Sequence, residues 1–335
     1  MTDIGTRLVN NLFEKLMVDD QWSLRRDRGF TWWAYRLAQH VEVSPPVHTD
    51  DGELCTVRIW TDVAARVDPT TNPPELLGLA NMQETMSAVV WDRSAGAVME
   101  CCTALVHEGN IGWLSNVLAT AAVLQNTAAH SRAHAIAGVC GGEAAASNHP
   151  TSGERPEMDE ILNVPGQVIA RAGAEPSRFE GPPMQGLEGF LERMRFMGFA
   201  DSTGLTCEVP FTGNRPVAVL MAAGISEPET SVVQLFADVA HPEFGSGVLT
   251  LLRLPVNPEP RRVATLANEL NSAEAHGDSG APLLGAWCPD PSDEDGKTLS
   301  FCSFLPNILA GPGMLENQIL YQAARSKFAA QHLAG

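Results

Sequence analysis

Leu266-Ala-Asn-Glu-Leu-Asn-Ser-Ala-Glu-Ala275, with the apolar run Ala281 to Trp287 behind it, decides how the chain is read, because it has an echo. Leu79-Ala-Asn-Met-Gln-Glu-Thr-Met-Ser-Ala88 stands 187 positions earlier and leads into Val89-Val90-Trp91. Each stretch opens on Leu-Ala-Asn with helical character and runs into an apolar strand that reaches a tryptophan. The flanks repeat too, which points to an internal duplication.

Working outward in the first half, Leu8, Leu12 and Leu16 recur at helical spacing within Ile4 to Val18. Phe30 to Val43 is aromatic and β-branched and reads as extended. Leu54 to Val63 alternates as a second strand. Pro73-Pro74 suits the start of a helix over Glu75 to Thr85, since the first turn needs no donated N–H. Ser87 to Asp92 and Ala97 to Val106 make a hairpin, and the run from Ile111 through Leu124 begins a long closing helix.

The second half gives the same order. A helix over Met184 to Phe199 precedes strands at Leu205–Phe211, Val217–Gly224, Ser231–Ala240 and Gly247–Val256. A helix over Pro258 to Ala273, a hairpin over Pro282 to Leu305 and a helix over Met314 to Leu333 follow. A solenoid needs three or more shorter repeats. The expectation is therefore an α+β protein of two tandem helix–strand meander–helix–hairpin–helix modules related by a pseudo-twofold. Residues 1–137 and 167–335 are the modules, and 138–166, rich in Gly, Ala, Ser and Pro, is a linker.

Composition narrows the function. With 335 residues, each module is long enough to bury its own core. The 22 basic residues face 40 acidic ones, a net charge of −18, and no Lys/Arg cluster exceeds Arg25-Arg26 with Arg28. Phosphate backbones demand more than that, so nucleic acid is not an expected partner. Seven cysteines without a CxxC pair read as reduced thiols of a cytoplasmic protein. The N-terminus lacks the apolar core of a signal peptide. Gly109 to Ser131 has the length of a membrane span, but Asn110, Asn116, Gln125, Asn126 and His130 make it a buried amphipathic helix.

Two motifs suggest chemistry. Gly277-Asp-Ser-Gly-Ala-Pro282 resembles the nucleophile box of trypsin-like serine proteases, and Thr127-Ala-Ala-His130 resembles their histidine box. That resemblance implies Ser279 as nucleophile, His130 as base and Asp159 or Asp201 as the orienting acid. Against it, His130 lies in a helix-period run, whereas the family's histidine follows a strand. A Gly/Asp turn between a helix and a strand explains the same letters by backbone needs alone. His130 and His134 share a helical face at the zincin spacing, but Ser131 stands where a zincin has glutamate, so no metal is expected. No phosphate-binding glycine loop appears, and no cofactor is expected.

In element order, and in Leu266 to Asn271 and Thr298-Leu-Ser-Phe-Cys-Ser-Phe-Leu-Pro306, each half resembles the modules of type III secretion chaperones and YbjN-like proteins. The duplicated peptide-binding chaperones called TY-Chap proteins are similar in layout. The first copy departs from the pattern, with Met82 and Thr85 where the second has Glu269 and Ser272, and with no match for Asn271. The resemblance implies a non-enzymatic protein that holds a client segment on apolar surface, as a monomeric pseudo-dimer or a homodimer. Trp32, Trp33, Tyr35 and Trp60 are the candidate client-binding residues, supplying an aromatic strand surface. Adjacent strand residues face opposite ways, so Trp32 and Trp33 are both core only if both faces of the sheet are covered. A regulatory adaptor for a folded partner, and a serine hydrolase built on Ser279 and His130, are the rival functions.

Overall fold

Helix α1 (Ile4–Lys15) buries Ile4, Leu8, Val9, Leu12 and Phe13 along the stripe that its spacing displays. Asp3 caps it. Its carboxylate accepts the Thr6 N–H at 3.0 Å and pairs with Arg28 at 2.8 Å, which holds the Asp3 carboxyl well below the usual carboxylate range. The structure is a computed structural model that describes residues 3–50, 52–211, 230–254, 260–290, 292–293 and 298–334.

The strands form two antiparallel sheets, so the protein is α+β. The first contains β1 (Ser23–Arg26), β2 (Gly29–Trp33), β3 (Ala38–Val43), β4 (Val47–Thr49), β5 (Gly52–Ala65), β6 (Ala88–Asp92), β7 (Ala97–Val106) and β8 (Glu143–Ala144). Its order is β1-β2-β3-β5-β7-β6, with β4 and β8 also paired to β5. Helix α2 (Pro73–Asn81) links β5 to β6, and α3 (Ile111–Val139) lies across the inner face. That face holds a buried amide chain: the Trp32 indole donates to Gln39 at 2.9 Å, and Gln39 donates to Gln125 on α3 at 2.8 Å. Gln125 in turn donates to the Ile59 carbonyl at 3.1 Å, so these buried amides are satisfied without water.

The stretch from Phe30 to Val43, expected as one extended segment, is the hairpin β2–β3. Ala34 to Leu37, where it reverses, contains neither Gly nor Pro. A distant side chain holds the reversal instead: His130 Nε2 accepts the N–H groups of Arg36 and Leu37, each at 3.2 Å. Residues 138–166, expected as a linker, are laid against the first sheet. Ser147 accepts the Trp33 indole N–H at 2.9 Å, Arg155 donates to the Trp33 carbonyl at 2.7 Å, and Ile161 is buried. Both faces of the sheet are therefore covered at Trp32 and Trp33.

The second sheet contains β9 (Gly198–Ala200), β10 (Gly204–Pro210), β11 (Thr230–Phe236), β12 (Gly247–Arg253), β13 (Ala286–Pro289) and β14 (Leu299–Pro306). Read from its first strand, its order is β9-β10-β11-β12-β14-β13: a four-strand meander followed by a hairpin whose second strand returns beside the fourth. The first sheet follows the same route through β1, β2, β3, β5, β7 and β6. Helix α4 (Leu187–Met194) precedes β9, α5 (Pro260–Ala275) joins β12 to β13, and α6 (Met314–Ala334) closes the chain. The helix expected over Met184 to Phe199 stops at Arg195, which turns left-handed (φ 58°), and Phe199 belongs to β9. The strand expected over Val217 to Gly224 lies outside the described residues.

Candidate functional site at the junction of the two sheets

Helices α2 and α5 pack together between β6 and β13, and each carries an asparagine that imitates a neighbouring strand. The Asn81 amide accepts the Val89 N–H at 2.7 Å and donates to the Val89 carbonyl at 2.9 Å. Asn271 does the same to Trp287, at 2.8 and 2.9 Å. These amides satisfy the outward backbone groups of two edge strands, which would otherwise be buried without partners. The matching bonds are therefore those of Asn81 and Asn271, 190 positions apart, where the Leu-Ala-Asn stretches are 187 apart. Asn268, one helical turn earlier, reaches across the junction instead and brackets Trp91, accepting its N–H at 2.9 Å and donating to its carbonyl at 3.1 Å.

Three residues after each clamp comes a buried glutamate. Glu84 and Glu100 share Arg132 of α3, and Ser87 donates to Glu100 at 2.8 Å. Burial, reinforced by the neighbouring Glu84 charge, pushes the Glu100 carboxyl up to about 8. Glu274 receives Arg325 Nε at 3.1 and 3.0 Å and the Trp287 indole N–H at 2.7 Å. Burial raises the Glu274 carboxyl and lowers the Arg325 guanidinium, each partner opposing the shift. The sequence signal for this arrangement is Asn-x-x-Glu at 81–84 and again at 271–274.

The two halves also trade backbone bonds. Thr103 N–H donates to the Leu283 carbonyl at 3.2 Å, and Phe304 N–H donates to the Thr85 carbonyl at 2.9 Å. Here the likeness stops. Val89 follows Glu84 by five positions, while Trp287 follows Glu274 by thirteen, so the second loop is eight residues longer. The longer loop lies on the outer face of the first sheet. The Thr103 hydroxyl donates to the Glu274 carbonyl at 3.0 Å, and Gly277 sits so close to Thr56 that a Cβ would stand 2.7 Å from its methyl carbon. Gly277 also has φ +84°, so backbone geometry and space both require glycine there.

On the outer face of the second sheet the short loop leaves a groove of about 370 Å³. Leu249, Leu251, Cys302 and Phe304 form its floor, Met82 to Glu84 one wall, and Val239 to Glu243 the other. The strand register carries the same face outward through Gln234, Phe236 and Thr206 to Phe199, which is 63% exposed. A second cavity of about 550 Å³ adjoins the groove through Gln83, Glu84, His241 and Glu243 and continues to Arg132 and Asn163. The His241 ring stacks on Phe244 at 4.8 Å, and burial lowers its pKa, favouring the neutral form. With an apolar floor, polar ends and, among the described residues, no lysine or arginine on its lining, the groove is suited to an uncharged or cationic chain.

The aromatic residues expected to bind a client divide. Trp32 is fully buried and Trp33 is 6% exposed with its ring edge-on to His149, so both belong to the core as the chain is folded here. Tyr35 and Trp60 are half-buried and lie apart from the groove. Trp60 stacks on His40 at 4.7 Å, and the Arg58 guanidinium carbon lies 4.6 Å from the Trp60 ring centroid. Tyr35 lines a separate cavity with His130 and His134.

The residues of the protease-like motifs are engaged elsewhere. His130 Nδ1 pairs with the Asn126 carbonyl at 2.8 Å, while its Nε2 holds the β2–β3 reversal. The Ser279 hydroxyl turns back to the Ala281 carbonyl at 3.0 Å and to Glu274 at 3.4 Å. Asp159 caps its own short helix through the Ile161 N–H at 3.0 Å, and Asp201 holds the β9–β10 turn through Thr203 and Gly204. Among the described residues no three His, Cys, Asp or Glu side chains converge as a metal site, and no helix is long and apolar enough to cross a membrane. All seven cysteines are buried and unpaired. Compared with protein families, curated proteins and solved structures, the chain finds no match.

Proposed function

We propose that the chain is two tandem copies of one small α+β module, similar to the secretion-chaperone and YbjN-like modules, acting as a non-enzymatic polypeptide-binding protein. In this reading it holds a segment of a partner protein, chaperone-like, on the outer face of its second sheet. The observation that carries the reading is the open apolar groove over Leu249, Leu251, Cys302 and Phe304, continued by Phe236 and the exposed Phe199. An apolar floor of this kind, with Gln234 and Thr206 between it and Phe199, suits an extended segment better than a flat polar surface would. The shared strand route and the paired Asn-x-x-Glu clamps support the tandem reading. A reducing, cytoplasmic setting fits seven unpaired thiols.

The test is affinity capture with the intact protein and with Leu249→Glu and Phe236→Glu variants, thermal stability being followed in parallel. Loss of the same captured polypeptide in both variants, with the melting temperature retained, is the expected result. A catch indifferent to both changes rejects the groove as the site.

A further inference from the structure

We infer that the groove receives a short partner segment presenting an apolar side chain beside a lysine or arginine, in the position that residues 276–282 of this chain fill on the first sheet. The inference rests on the polypeptide-binding reading and gives its site an occupant.

Two independent observations lead to it. The first is the internal comparison. On the first sheet the outer face beside Thr103 is closed by the longer loop, whose ends are fixed by Thr103 to Glu274 and Leu283 and whose Gly277 presses on Thr56. On the second sheet Phe304 makes the corresponding backbone bond to Thr85, but only five positions separate Glu84 from Val89, and none of the described residues fills the space. A piece of polypeptide is thus what this geometry accepts, because the chain itself places one in the matching position.

The second observation is charge. Glu84 and Glu243 line the groove, and the exposed Asp238 immediately precedes Val239 of its wall in the chain. Arg132 is shared between Glu84 and Glu100, so it offers no spare attraction to an anion. The neutral ring of His241 adds none. The floor takes an aliphatic or aromatic side chain, while Glu243 and Asp238 favour a flanking cation and oppose a flanking carboxylate. The net charge of −18 draws basic segments toward this surface before contact.

The experiment measures fluorescence anisotropy of two short labelled peptides, one of leucine and lysine and one of leucine and glutamate, against the full chain. Three variants accompany the wild type: Glu243→Lys, Leu249→Trp, and a graft inserting the sequence of residues 275–282 between Glu84 and Thr85. The lysine peptide is expected to bind, and the glutamate peptide to bind at least about tenfold more weakly. Each variant is expected to weaken the lysine peptide by about tenfold or more. If the graft does not fold, the two point variants decide. Equal binding of both peptides, or binding untouched by Glu243→Lys and Leu249→Trp, overturns the inference. A partner captured from cells through a crosslinker at Trp60 and not at Leu249 also overturns it, yet leaves the polypeptide-binding reading standing. Absence of peptide binding together with absence of any capture removes both.

Discussion

Arg325 lies flat over Phe301, its guanidinium carbon 3.6 Å from the ring centroid, while its Nε meets both oxygens of Glu274 at 3.0 and 3.1 Å. Both side chains are out of water, at 1% and 0% exposure. Gln322 and the Pro282 carbonyl take the remaining guanidinium nitrogens, which makes this closed site a lock between α6, α5 and the loop leading into β13. Removing one partner strands the other charge. Arg325→Met is expected to cost roughly 3–5 kcal/mol in urea unfolding, and Glu274→Leu with Arg325→Met distinctly less than the sum of the single changes. Additive losses would show that the pair is not coupled.

The strand clamps predict a graded series. Asn271→Ala leaves the buried N–H and carbonyl of Trp287 without partners, at about 1–3 kcal/mol for each group. Asn271→Asp keeps the acceptor for the N–H but faces the carbonyl with a charge, so it is expected to be no milder. Asn268→Ala, at a partly buried position, is expected to lose less. Hydrogen exchange at the Trp287 and Trp91 amides reads each clamp separately.

Glu100 makes stability depend on pH with a definite sign. Its folded carboxyl titrates at about 8 against an ordinary value of 4.5. Below 4.5 both folded and unfolded states hold the proton. As pH rises toward 8 only the folded state holds it, so the contribution shrinks and is lost above that value. Melting temperature should fall between pH 5 and about 9 in the wild type by more than in Glu100→Gln, which keeps the bond to Ser87 without the charge. Parallel curves for the two proteins would contradict this.

Trp32 and Trp60 should separate cleanly. Trp32→Ala empties a fully buried site and abandons Gln39, for roughly 3–5 kcal/mol. Trp60→Ala removes a half-buried stack and is expected to cost no more than about 2 kcal/mol. Thermal denaturation of the two variants, side by side, tests the order.

Ser279 and His130 should not respond to a serine-directed fluorophosphonate, since the hydroxyl is turned into its own loop and the imidazole holds the β2–β3 reversal. Labelling of the wild type that vanishes in Ser279→Ala would reinstate the hydrolase.

Much of this architecture was legible in the chain. The hairpins over Ser87 to Val106 and Pro282 to Leu305 show themselves by alternation and turn residues, and α1, α3 and α6 by apolar spacing. Legibility ended where distant atoms decide. The reversal at Ala34 to Leu37 has no turn residue because His130 supplies the missing acceptor from another element. The segment 138–166 reads as a linker because its attachments to Trp33 and Ala34 run through backbone and polar groups, which hydropathy does not register. The two Leu-Ala-Asn stretches stand out in the sequence, but the residues that make matching bonds lie one helical turn out of step with them. Leu-Ala-Asn is a similarity of letters, whereas Asn-x-x-Glu is a similarity of bonds. The groove was hidden for another reason: its lining comes from β12, β14, the loop after α2 and residues 239–243, which no local pattern connects.

The asparagine amides that α2 and α5 hold against β6 and β13 have a consequence for how the molecule behaves in a crowd. Unclosed sheets grow by recruiting further strands, the route by which chains stack into fibrils. Here the two central rims are stoppered from within, and Pro289 offers no N–H where Trp91 needs Asn268. The outlying rims are a four-residue strand bearing Arg25 and Arg26 and a three-residue strand, β9. Apolar surface can therefore be displayed on a face while the rims give little purchase for runaway polymerisation.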